Sequence, residues 1–169
     1  YMCVRVAHAA AGHHMVEAGW LRNRSTADSY TRWWVDREAR HNYYYWYATA
    51  LRRNFQKTAD VQLLRDVIPS YKTQFLQYTT GELPSNFQSS AFSAEGDCLW
   101  NEPGNEGQEQ SLSGVGCRTL VQSVMYGESA ALAELCGIIG DTDGAAEMAA
   151  EAQKWQARVL RLWNPAIES

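Results

Sequence analysis

The chain has 169 residues, 46% hydrophobic and 20% charged, with a formal net charge of −4 and a pI near 5.6. Such a mixture can build one sizeable core, and an acidic chain with scattered arginines offers no basic footprint for nucleic acid. No apolar run approaches the roughly 20 residues of a membrane span, because Arg, Glu or Gln interrupts each hydrophobic segment. The expectation is one soluble domain over residues 1–169, with neither nucleic acid nor a bilayer as partner.

Helical patterning covers most of the chain. Residues 2–16 are rich in alanine and aliphatics, and the chain opens at Tyr1 already inside that pattern, which implies processing or truncation. Ser25-Thr26-Ala27-Asp28 reads as a capping box that starts a second helix running to about Asp36. A third helix is expected from about Tyr43 to Lys57. Asp60 caps a fourth, in which Val61, Leu64, Val67, Ile68, Tyr71, Phe75 and Tyr78 recur at helical spacing, with Pro69 expected to bend or split it.

From about residue 80 to 117 the periodicity dissolves into Gly, Ser, Asn and three of the four prolines. That reads as a long irregular loop with a short strand or two around Phe92 and Leu99. A loop of such length within a compact domain is usually functional or disordered. Helix resumes from about Arg118 to Ile139, apolar or small on all sides and so expected to be buried all round. The last helix, from Asp143 to Trp163, sets Met148, Ala152, Trp155, Val159 and Leu162 along one stripe opposite Glu147, Glu151, Lys154 and Arg158. It reads as an outer helix.

Short turns at Ala59-Asp60 and Gly140-Asp141 join a more buried helix to a more exposed one in each case, so the pairs run antiparallel. The expected fold class is all-α, built from three stacked αα-hairpins. Such hairpins stack into an open solenoid or close into a ring around a pocket, and the absence of a fixed repeat period favours the ring.

Cys3, Cys98, Cys117 and Cys136 allow two bridges in any of three pairings, and their wide spacing fits no zinc pattern. Disulfides are one reading and four buried thiols the other. Asn23-Arg24-Ser25 is a glycosylation sequon. Together these lean towards a secreted or extracellular glycoprotein. His13, His14 and Glu17 lie close in sequence, but H-H-x-x-E lacks the spacing that puts two histidines on one helical face, so no metal is expected.

Seven tryptophans and nine tyrosines supply flat surfaces with polar handles, suited to sugar rings as well as to cores. Trp20, Tyr44, Trp46 and Trp100 are candidates for stacking on sugar, whereas Trp33, Trp34 and Trp155 at helical spacing are expected in the core. In GNEGQEQSLSG, residues 104–114, Glu106 and Glu109 sit three apart in a glycine-shaped stretch. Glycines allow a loop to aim an acid inwards.

The stretch EGQEQSLSGVGCRTLVQSVMYGESAALAELCGIIGD resembles a segment of the (α/α)6 glycoside hydrolases related to mannosylglycerate hydrolase, family 63 glucosidases and trehalases. AAGHHMVEAGWLRNRS, HNYYYWYATAL and KWQARVLRLWNP extend that resemblance over nearly the whole chain. It implies a toroid of twelve helices, of which this chain would form about half: a partial catalytic domain, with the remainder of its own polypeptide as a partner.

By the same resemblance, Gly107-Gln108-Glu109 matches the Gly–apolar–acid sequence that carries the general acid, with Gln108 in place of the usual Met or Trp. Inverting hydrolysis needs one acid to protonate the leaving oxygen and a second carboxylate, roughly 6.5–9.5 Å away, to activate water. The resemblance makes Glu109 the catalytic acid, Glu106 a sugar-binding neighbour, and Glu17, Trp20 and Arg22 hydroxyl-binding residues. The catalytic base would come from a later part of the barrel. Relatives generally carry Asp where this chain has Glu106 or Asn23, and by the resemblance the loss of a carboxylate at Asn23 would remove a sugar contact. The implied function is a glycosidase, inverting, acting on a small or terminal α-linked sugar, with no cofactor. The alternative is a non-catalytic carbohydrate-binding or structural extracellular protein of the same descent.

Overall fold

A computed structural model describes residues 8–36, 46–80, 90–92, 99–101 and 119–163. In chain order these form α1 (His8–Ala18), α2 (Ser25–Asp36), α3 (Tyr47–Thr58), α4 (Val61–Thr80), β1 (Ser90–Phe92), β2 (Leu99–Asn101), α5 (Thr119–Ile139) and α6 (Thr142–Arg161). The fold is all-α, three stacked αα-hairpins, and the expected short strands pair antiparallel within the long connection, Ala91 opposite Trp100. Among the described residues no helix is long and apolar enough to cross a membrane.

Local chemistry sets the helix ends. The α2 cap differs from the expected box: the Asn23 carboxamide Oδ1 accepts from Ser25 N at 3.0 Å and from Ser25 Oγ at 2.8 Å, so the cap lies two residues earlier. Asp60 starts α4 as expected, accepting from Leu63 N at 2.9 Å. Pro69 neither ends nor splits that helix. It and Arg65 both lie on the exposed side, where the carbonyl released by the missing N–H can be hydrated. α6 begins at Thr142, one residue earlier than expected, because Asp141 is its cap, accepting from Gly144 N at 2.8 Å.

Side-chain pairs give the direction of each helix relative to its neighbours. A Cβ on Gly12 would lie 2.9 Å from Trp46 O, and further along, Asn54 Nδ2 donates to Met15 O at 2.8 Å, so α1 and α3 advance together. Ala48 and Thr49 meet Glu128, and Arg52 meets Glu134 at 3.2 Å, so α3 and α5 also advance together. Behind them α2 and α4 run side by side, joined by an Arg32–Asp66 ion pair and by Gln74 Nε2 donating to Val35 O at 2.8 Å. Odd-numbered helices thus form one layer of parallel neighbours. The even-numbered α2 and α4 form a second layer running the opposite way.

Trp34, Leu64 and Ile68 of the second layer meet Tyr47, Leu51, Leu132 and Leu135 of the first in one core, completed by Met148 and Trp155 of α6. Three expectations about burial are corrected here. α5 is not buried all round, since Leu120, Tyr126 and Glu134 are exposed. Arg158 lies with the buried stripe of α6, 8% exposed, its guanidinium 4.2 Å from the centroid of the Trp155 ring. An arginine can do this because its flat cation stacks on an indole while its stem packs as hydrocarbon. Trp34 and Trp155 are core residues as expected, but Trp33 is 41% exposed.

Cys136 is a free thiol buried in this core, and burial pushes its pKa up. Cys3, Cys98 and Cys117 lie outside the described residues.

Candidate functional site

Between α1 and α3 lies a cleft of about 70 Å³ lined by Gly12, His13, Val16, Glu17, Trp46, Thr49, Ala50 and Arg53. Spacing on two parallel helices produces it. His13 and Glu17 are four apart on α1, and Thr49 and Arg53 are four apart on α3, so each pair shares a helical face. Glycine at position 12 lets α3 approach closely enough for the Trp46 backbone to touch α1. The His13 and Trp46 rings lie 5.6 Å apart, tilted at 45°. An imidazole, a carboxylate, a guanidinium, a hydroxyl and a half-exposed indole thus converge on one small opening. That set can hydrogen-bond a polyol while the indole covers an apolar face.

Of the residues expected to bind sugar, the cleft brings together Glu17 and Trp46. Trp20 stands just beyond the end of α1, its backbone N donating to Glu17 O at 3.1 Å, and is 73% exposed. The Lys57 ammonium lies 3.9 Å from the centroid of its ring, so one face of this indole is already covered. Arg22 is exposed on the connection to α2, and Asn23 is occupied as the α2 cap. Trp100 sits on β2 opposite Ala91. Glu106, Glu109 and Tyr44 lie outside the described residues.

His14 turns away from the cleft. Its Nδ1 shares a 2.9 Å hydrogen bond with Tyr30 Oη on α2, where burial pushes the phenol pKa above its ordinary value. The two adjacent histidines therefore face different helices. Among the described residues no three His, Cys, Asp or Glu side chains are grouped to hold a metal ion.

The residue that sequence reasoning missed is Glu128. It is 2% exposed in the middle of α5, and its carboxylate accepts four hydrogen bonds. Oε2 takes Ala48 N at 2.7 Å and Tyr71 Oη at 2.7 Å; Oε1 takes Thr49 N at 3.0 Å and Thr49 Oγ1 at 2.8 Å. Burial pushes its pKa above the ordinary carboxylate value, against the pull of the four donors. The signal was present in the sequence: an ionisable side chain within an otherwise apolar helix is almost never buried unless it is partnered.

Comparison with protein-family models, with curated proteins and with solved structures finds no match to this chain.

Proposed function

We propose that this chain is part of a glycoside hydrolase of the (α/α)6 type, inverting, secreted, and acting on a small or terminal α-linked sugar. The observation that carries the reading is the cleft between α1 and α3, where Glu17 and Trp46 meet His13, Thr49 and Arg53. The layer of parallel α1, α3 and α5, backed by α2 and α4 that run the opposite way, agrees with about half of such a ring. In this reading Glu109 protonates the leaving oxygen as the glycosidic bond breaks. A second carboxylate, from another part of the ring, draws a proton from the attacking water.

The test is hydrolysis of a panel of 4-nitrophenyl α-glycosides by the polypeptide that carries these residues, with the anomer of the first product read by NMR. Glu109→Gln should lower kcat by roughly 10²–10⁴-fold, as removal of a general acid does. Turnover that survives this change nearly intact would remove the assignment.

One observation favours a non-catalytic, carbohydrate-binding reading as the alternative. Asn23, which stands where relatives generally carry an acid, has its carbonyl oxygen engaged by Ser25 as a helix cap. Binding of sugar by the native protein without any turnover would select this second reading.

A further inference from the structure

We infer that Glu128 is a positioning residue for the cleft: from α5 it fixes the first turn of α3, and with it the Trp46 indole that walls the cleft. Trp46 occupies the N-cap position of α3 and makes no side-chain cap hydrogen bond, since an indole has no acceptor oxygen. The donors left over in that first turn, Ala48 N and Thr49 N, are the two that a capping oxygen would normally satisfy. Both go to Glu128 instead. The cap is thus supplied by a different helix, 80 residues along the chain from Ala48.

A carboxylate suits this place twice over. It is favoured by the positive end of the α3 dipole, and each of its oxygens can accept two bonds. Tyr71 of α4 donates to the same group, which orients it from the second layer. On the opposite side, Gly12 of α1 abuts the Trp46 backbone, where an added Cβ would lie 2.9 Å from the carbonyl oxygen and 3.1 Å from Trp46 Cβ. The start of α3 is therefore held between Gly12 and Glu128. The cleft's aromatic wall inherits its position from that clamp.

The positioning rests on these contacts alone; only what the cleft receives rests on the carbohydrate reading. Glu128→Gln is nearly isosteric but presents an NH₂ group to one of the two donor pairs, so it loosens the clamp without emptying the space. In the full chain, NMR of the imidazole protons reports the result directly. His13 senses the ring current of Trp46, and Trp46→Leu gives the size of that effect. His14, bonded to Tyr30 on α2, is the internal control. Glu128→Gln should move the His13 signals by more than half of the Trp46→Leu displacement and leave those of His14 in place.

Tyr71→Phe removes one donor and should move His13 in the same sense by less; it carries the test if Glu128→Gln does not fold. Unmoved His13 signals in a folded variant would overturn the inference. In parallel, methyl α-D-glucopyranoside is titrated into native and variant protein, with an expected loss of affinity on the order of tenfold to a hundredfold. If His13 responds but the native protein binds no sugar, the positioning stands and the carbohydrate reading falls.

Discussion

Lys72 Nζ lies 3.0 Å from Asp141 Oδ2, joining the middle of α4 to the turn between α5 and α6. The same carboxylate caps α6 through Gly144 N, and Glu147 stands 3.7 Å from the same ammonium. The hydrogen bond from Gly144 and the Lys72 ammonium beside Asp141 hold its carboxyl below the usual carboxylate range. The carboxylates raise the pKa of Lys72. The signs follow from linkage. A depressed acid stabilises the fold above its unfolded pKa and loses that contribution as pH falls through its folded pKa. A raised amine stabilises the fold below its unfolded pKa and loses that contribution as pH rises through its folded pKa. Urea denaturation across pH should show this contribution fading at both extremes. Lys72→Met should bring the NMR-detected titration of Asp141 back towards the ordinary carboxylate value.

Ala59, the C-cap of α3, has φ 51° and ψ 27°, in the left-handed region where a Cβ is strained. Gly140 has a φ of 87° at the end of α5, and there glycine meets the demand without cost. Ala59→Gly should therefore stabilise the chain, by roughly 0.5–1 kcal/mol after allowing for the greater freedom of glycine when unfolded. An upward shift in the urea midpoint with an unchanged slope would confirm it.

Gly19 is required by a close approach. A Cβ there would lie 2.2 Å from Asn54 Oδ1 and 3.2 Å from its Cγ. Asn54 is buried and donates to Met15 O at 2.8 Å, so it cannot withdraw without losing that bond. Gly19→Ala should cost about 1–3 kcal/mol, read by thermal unfolding, because it overpacks a site and strands a buried amide together.

The helices were legible because their signals are local: Asp60 ahead of an apolar 3.6-residue rhythm, and the Ser-Thr-Ala-Asp stretch that opens α2, although Asn23 and not Ser25 supplies its cap. The hairpins followed from turns too short for anything but reversal. What stayed illegible depends on distant partners. Arg158 reads as solvent-facing by its charge, yet it packs on Trp155. Glu128 disappears in a run of small residues, because the donors it serves come from α3 and α4, 80 and 57 positions away. Glu17 came from the resemblance, and Trp46 from the suitability of an indole for stacking on sugar. Their companions Thr49 and Arg53 were not found, since only the approach of α3 at Gly12 brings them to the same opening.

The direction of the helices has an electrostatic consequence. Neighbours in a layer point the same way, so their peptide dipoles add along that layer; the opposed layer behind reverses them. Each end of the stack therefore carries a positive stripe beside a negative one, with little net moment across the whole. A buried anion placed at the start of a central helix sits on such a positive stripe and neutralises it from within.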